Sequence, residues 1–82
     1  DFVFADDYKL MSLTEVENFI KKNKHLPDVP SEAEVLKDGI NVADMQAVQQ
    51  QKIEELTLYL IELKKEVESL KLQLETSNSI AH

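Results

Sequence analysis

A nucleophile, a general base or a metal ligand in this chain would have to come from the serines, His25, His82 and the acidic residues, because the sequence contains no Cys. Catalysis needs such groups to converge in one pocket with shifted pKa values, and no nucleophile, base and oxyanion donor set can be assembled from these residues. Ser12 and Ser31 each stand three residues before a glutamate, Glu15 and Glu34, which is the spacing of a helix cap rather than of an activated hydroxyl. His25 has no second His or Cys at ligand spacing, so a hydrogen-bonded structural histidine is the expectation. His82 is terminal and expected to be frayed. Asp1, Asp6 and Asp7 could gather Ca²⁺ about a three-fold axis, but oxygen-only sites show a regular ligand spacing with Gly that this stretch lacks, and solvated acids are the default. No catalytic residue, metal site or cofactor is therefore expected.

Composition narrows the remaining classes. Sixteen acidic residues against nine basic ones leave a net charge of −7, which repels phosphate backbones and anionic lipid, so neither nucleic acid nor a membrane surface is an expected partner. No apolar run approaches a membrane span, and the opening Asp1-Phe2-Val3-Phe4 lacks the charged n-region of a signal peptide. The chain begins mid-pattern without Met and reads as a fragment. At 82 residues one core is only marginally sufficient, and oligomerisation is a usual remedy.

The elements follow from local signals. Residues 1–10 alternate weakly and suit a short strand or extended lead-in. Ser12 and Glu15 form a capping box, with Met11 and Val16 in the staple positions, ahead of a helix over about 13–24 whose apolar face holds Leu13, Val16, Phe19 and Ile20. Pro27 disfavours helix at Leu26, so His25 to Pro30 reads as an extended connection. Ser31 and Glu34 repeat the box before a short helix over about 32–38, ended by Gly39 in a left-handed conformation. Asn41 caps a last helix that no Gly or Pro interrupts between Ile40 and His82. The division is a head over 1–41, a coiled-coil helix over 42–77 and a frayed tail over 78–82.

Within the long helix Ile53, Leu56, Leu60, Leu63, Val67, Leu70 and Leu74 recur at alternating steps of three and four. That is a heptad seam with Ile53, Leu60, Val67 and Leu74 at a and Leu56, Leu63 and Leu70 at d. Glu66 at g and Lys71 at the following e are spaced for an interchain salt bridge in a parallel arrangement, of small net worth if exposed. Burying seven such residues represents on the order of 10 to 20 kcal/mol of gross stabilisation per chain. A helix of roughly 50 Å exceeds what a domain of this size, with a radius of gyration near 12 Å, can hide. Identical neighbours are expected to cover it.

Extending the register backwards puts Gln46 at a and Gln49 at d, where glutamines could hydrogen-bond between chains and fix register. The other reading shifts the seam onto Met45 and Val48. Leu58 at f and Ile61 at b form an apolar patch outside the seam, and Val16, Phe19 and Ile20 of the first helix are expected to fold back onto it. Ile or Val at a with Leu at d favours dimers, but half of the a sites are Leu, so these rules leave two or three strands open.

The segments Asp1-Phe2-Val3-Phe4, Asp6-Asp7-Tyr8-Lys9-Leu10, Glu15-Val16-Glu17, Phe19-Ile20, Gly39-Ile40-Asn41, HLPDVPS (25–31) and KIEELTLY (52–59) resemble a recurrent C-terminal domain of tail-fibre-like and surface proteins, mainly from the Bacteroidetes group. The likeness spans Asp1 to about Leu74 and extends to the intramolecular chaperone that ends phage tail spikes and endosialidases. It implies a mainly α fold: a short N-terminal extended segment, two short helices and a long C-terminal helix in a parallel homotrimeric coiled coil. It further implies a module that brings three chains into register so that the upstream fibre segment of the same chain folds, at a cell surface, outside the cell or on a phage-like particle. In the phage relatives a serine and lysine dyad releases the chaperone by self-cleavage. This sequence has no Ser-Asp pair followed by an Arg-Leu-Lys run, so self-cleavage is not carried over. Two rivals stand beside the trimerisation module: a docking module that anchors a different protein through the patch around Phe19, Leu58 and Ile61, and a self-cleaving chaperone protease.

Overall fold

The computed structural model describes residues 2–81. They form a 3-10 turn at Phe2–Phe4, then α1 (Leu13–Asn23), α2 (Glu32–Asp38) and α3 (Val42–Ala81), so the fold is mainly helical with a long C-terminal helix. Among the described residues there is no strand. The first ten residues differ from the extended expectation. Ala5 N–H donates to Phe2 O (3.2 Å) and Tyr8 N–H to Ala5 O (3.1 Å), two successive tight turns. A lone strand would leave its backbone groups without partners, whereas these turns satisfy some of them locally. They also bury Val3, which is 2 % exposed, and bring the Phe2 and Tyr8 rings edge to face at 5.7 Å.

Side-chain caps set each helix start. Ser12 is extended (φ −66, ψ 151), and its hydroxyl oxygen accepts from Glu15 N–H at 3.2 Å. The return half of that box differs from the sequence expectation, because the Glu15 carboxylate takes the Ser12 hydroxyl at 3.1 Å. At Ser31 the box is reciprocal: Glu34 N–H donates to Ser31 Oγ (3.1 Å) and Ser31 N–H to Glu34 Oε1 (3.3 Å). Asn41 starts α3 by accepting from Asp44 N–H at 3.0 Å.

α1 ends where Lys24 turns left-handed (φ 62, ψ 22) and donates its N–H to Ile20 O. Asp28 also has positive φ (65°), directly after Pro27, and Val29 N–H closes on Leu26 O at 3.2 Å. Pro at the second and positive φ at the third position is the pattern of a type II turn. Gly39 has the positive φ expected (77°), but its ψ of −173° lies outside the left-handed helical region, in one that glycine alone occupies readily.

α3 runs four residues past the expected helix end at 77, to Ala81, since nothing in its sequence breaks the ladder. His82 lies outside the described residues. At 40 residues α3 is roughly 60 Å long, and the molecule measures 64 × 28 × 19 Å. Its radius of gyration, 18.3 Å, exceeds the roughly 12 Å of a compact chain of this length. The head gathers on the first half of α3, and every residue from Leu60 to Asn78 is exposed.

Candidate functional site

The heptad register divides α3 into a covered and an open face. Its half-buried or buried residues are Met45, Val48, Gln51, Lys52, Glu54, Glu55, Leu58 and Tyr59, which occupy g, c, f and, at Glu54, b. All a, d and e positions from Gln46 to Leu74 are exposed. The seven seam residues lie between 53 % exposed at Leu63 and 65 % at Leu60. The head therefore packs beside the seam and leaves it open along its length.

Hydrogen bonds hold the head to that side. Tyr59 donates its hydroxyl to Met11 O at 2.7 Å, and Tyr8 donates to Glu55 Oε2 at 2.5 Å while accepting from Gln51 Nε2 at 3.2 Å. Lys52 pairs with Glu55 (2.9 Å) and reaches Asp28 at 3.8 Å. The bond to Glu55, followed by desolvation, raises the Tyr8 phenol above its ordinary value. Desolvation, then the Glu55 charge, does the same at Tyr59. None of these residues was marked by the heptad reading. The available signal was Tyr8 and Tyr59 themselves, since a tyrosine packed by its ring needs a partner for its hydroxyl.

Placement of the proposed head contacts differs in detail. Val16 shares the wall of an apolar groove with Leu56 and Tyr59. Phe19 stands edge to face with His25 at 5.4 Å, and Ile20 remains partly exposed. The element packed most closely on α3 is the turn at Phe2–Phe4. Of the off-seam patch, Leu58 is half-buried, whereas Ile61 stays 45 % exposed. His25 donates its Nδ1 hydrogen to Leu26 O at 2.9 Å, the structural role expected of it.

Two grooves flank the seam. One, of about 160 Å³, is lined by Leu13, Val16, Leu26, Pro27, Leu56 and Tyr59 among others. The second runs along Leu26, Val29, Met45, Val48, Gln49, Ile53 and Leu56. Met45 and Val48 are half-buried on the head side, whereas Gln46 and Gln49 at a and d are exposed, Gln49 at the edge of the second groove. Glu66 and Lys71 are both exposed, and nearby Lys64 pairs with Glu68 at 3.5 Å.

No family model, curated protein or solved structure matches the chain. Among the described residues no group of three His, Cys, Asp or Glu side chains could hold a metal ion, and no helix is long and apolar enough to cross a membrane. Asp1, one member of the candidate Ca²⁺ cluster, lies outside the described residues; Asp6 and Asp7 are exposed.

Proposed function

We propose that the chain is a non-enzymatic C-terminal assembly module that joins three parallel copies along α3 and thereby sets the register of an upstream fibre segment. One observation carries the self-association: seven apolar residues in unbroken heptad order, each more than half exposed, on a helix that the head covers only on another face and only as far as Tyr59. Removing such a continuous apolar strip from water favours association on the order of 10 kcal/mol or more per chain before entropic costs. Supercoiling against identical helices covers a and d together, since both lie in one seam. The choice of three copies, the fibre role and the extracellular or particle-surface setting come from the resemblance of the segments quoted above. Three copies at −7 each carry −21, which keeps the assembly soluble at its exposed end.

Sedimentation equilibrium of the 82-residue chain tests the reading. The expected mass is three times that of one chain, with twice that mass rejecting the trimer while keeping the seam. A single-chain mass at high concentration, with the helix content unchanged, overturns both. In the parent protein, deleting residues 53–82 is expected to leave the upstream fibre unassembled.

A further inference from the structure

The covered face of α3 is asymmetric about its seam, and that asymmetry has a consequence for the neighbouring copy. The head sits over g, c and f, at Met45, Lys52, Tyr59, Val48, Glu55, Gln51 and Leu58, and reaches b at Glu54, while every e position is bare. In a parallel coiled coil the g flank of one helix faces the e flank of the next. The head of one chain therefore lies across the boundary with its neighbour, beside that neighbour's e and b positions. Among those positions Ile61, at b, is apolar and 45 % exposed, although its own head covers Leu58 three residues earlier. On the facing side, the groove lined by Leu13, Leu26, Leu56 and Tyr59 opens beside the seam, with Leu13 56 % and Leu26 43 % exposed at its rim. Two uncovered apolar features, one on each flank of the same helix segment, are left facing each other.

We infer that the head completes its packing in trans: the groove at Leu13 and Leu26 receives Ile61 of an adjacent copy, so each head clamps the neighbouring helix as well as its own. The inference rests on the parallel assembly proposed above. The occupant is a second copy because the groove shares Leu56 with the seam, so the chain that buries Leu56 arrives with its own e and b flank against the groove. The head then contributes to assembly as well as α3, and the interface thickens over residues 52–61 before narrowing to bare coiled coil.

Because the chain has no Cys, engineered thiols report this contact directly. Leu13→Cys and Ile61→Cys, prepared as separate full-length variants, are mixed, unfolded, refolded together and treated with a short bismaleimide. The expected result is a covalent pair joining the two peptides in the mixture and its loss when either variant is treated by itself. Leu70→Cys, at a d position clear of the head, serves as the seam reporter. Cross-linking of Leu70→Cys without cross-linking in the mixture overturns the clamp and leaves the coiled coil standing. Failure of both, with a single-chain mass, overturns the clamp together with the assembly. A within-chain link in the Leu13→Cys/Ile61→Cys double variant, at the mass of one chain, shows that the head covers its own Ile61 and also overturns it.

Discussion

The hydroxyl of Tyr8 donates to the Glu55 carboxylate at 2.5 Å, joining residues 47 positions apart and fixing the lead-in against the middle of α3. A bond to an ionised acceptor contributes about 1.5 to 3 kcal/mol when buried; at this half-buried place about 1 kcal/mol is expected. Tyr8→Phe and Glu55→Gln should each lower stability by that order in denaturant titrations at fixed chain concentration. The double variant should lose less than the sum, because the two changes remove one interaction. Additive losses would show that the pair is not coupled.

The same contact sets an alkaline limit. The folded-state pKa values of Tyr8 and Tyr59 are raised, so the folded chain keeps protons that the unfolded chain releases near pH 10. With fewer protons bound in the unfolded state, the slope of stability against pH is negative there. Their contribution is fully present below about pH 10 and is lost as pH rises through the folded values. Melting curves should show a decline above that point which Tyr8→Phe makes shallower. An unchanged alkaline slope in Tyr8→Phe would assign the decline to other groups.

Caps and periodicity made the helices legible because both are local. Ser12, Ser31 and Asn41 sit where α1, α2 and α3 begin, and Pro27 and Gly39 fall in the connections. The 3-4 repeat of apolar residues was legible for the same reason, since it depends on α3 and on nothing else. The head's seat was not. It depends on Tyr8 meeting Glu55 and Tyr59 meeting Met11 O across more than 40 residues, and no spacing rule encodes such pairs. The lead-in misled because weak alternation reads as strand, whereas a strand needs a partner that the rest of the described chain does not supply. The helix end was placed too early because fraying was assumed where no breaker stands.

The two serine caps separate a complete box from an incomplete one. Ser31 exchanges bonds with Glu34 in both directions, whereas Ser12 receives only the forward backbone bond. Ser31→Ala should cost about 1 kcal/mol, and the Ser31→Ala/Glu34→Ala double variant should lose less than the sum of the two single changes, since the two residues act as a unit. At Ser12 and Glu15 the coupling between the two changes should be smaller. Equal coupling at both sites, measured by thermal unfolding, would show that the reciprocal backbone bond adds nothing.

Gln46 and Gln49 are exposed at a and d, where the aliphatic seam gives way to amides. In a closed interface such residues hold register at some expense in stability. If α3 assembles as proposed, Gln49→Leu should therefore raise the melting temperature of the assembly while loosening its specificity, seen as added species of other stoichiometry in sedimentation velocity. A more stable variant that remains a single species would remove the register role from Gln49.

Leu70 and Leu72 provide the sharpest contrast, because both are 64 % exposed on the single helix and differ only in register. Burial in one chain cannot distinguish them; a seam can, since Leu70 falls at d and Leu72 at f. If neighbours cover a and d, Leu70→Ala removes a buried side chain and should cost on the order of 2 kcal/mol or more per chain, visible as dissociation at lower chain concentration. Leu72→Ala should stay within about 0.5 kcal/mol and leave the dissociation curve in place, as exposed substitutions do. Equal and small effects at both positions would mean that water, rather than a second copy, faces Leu70.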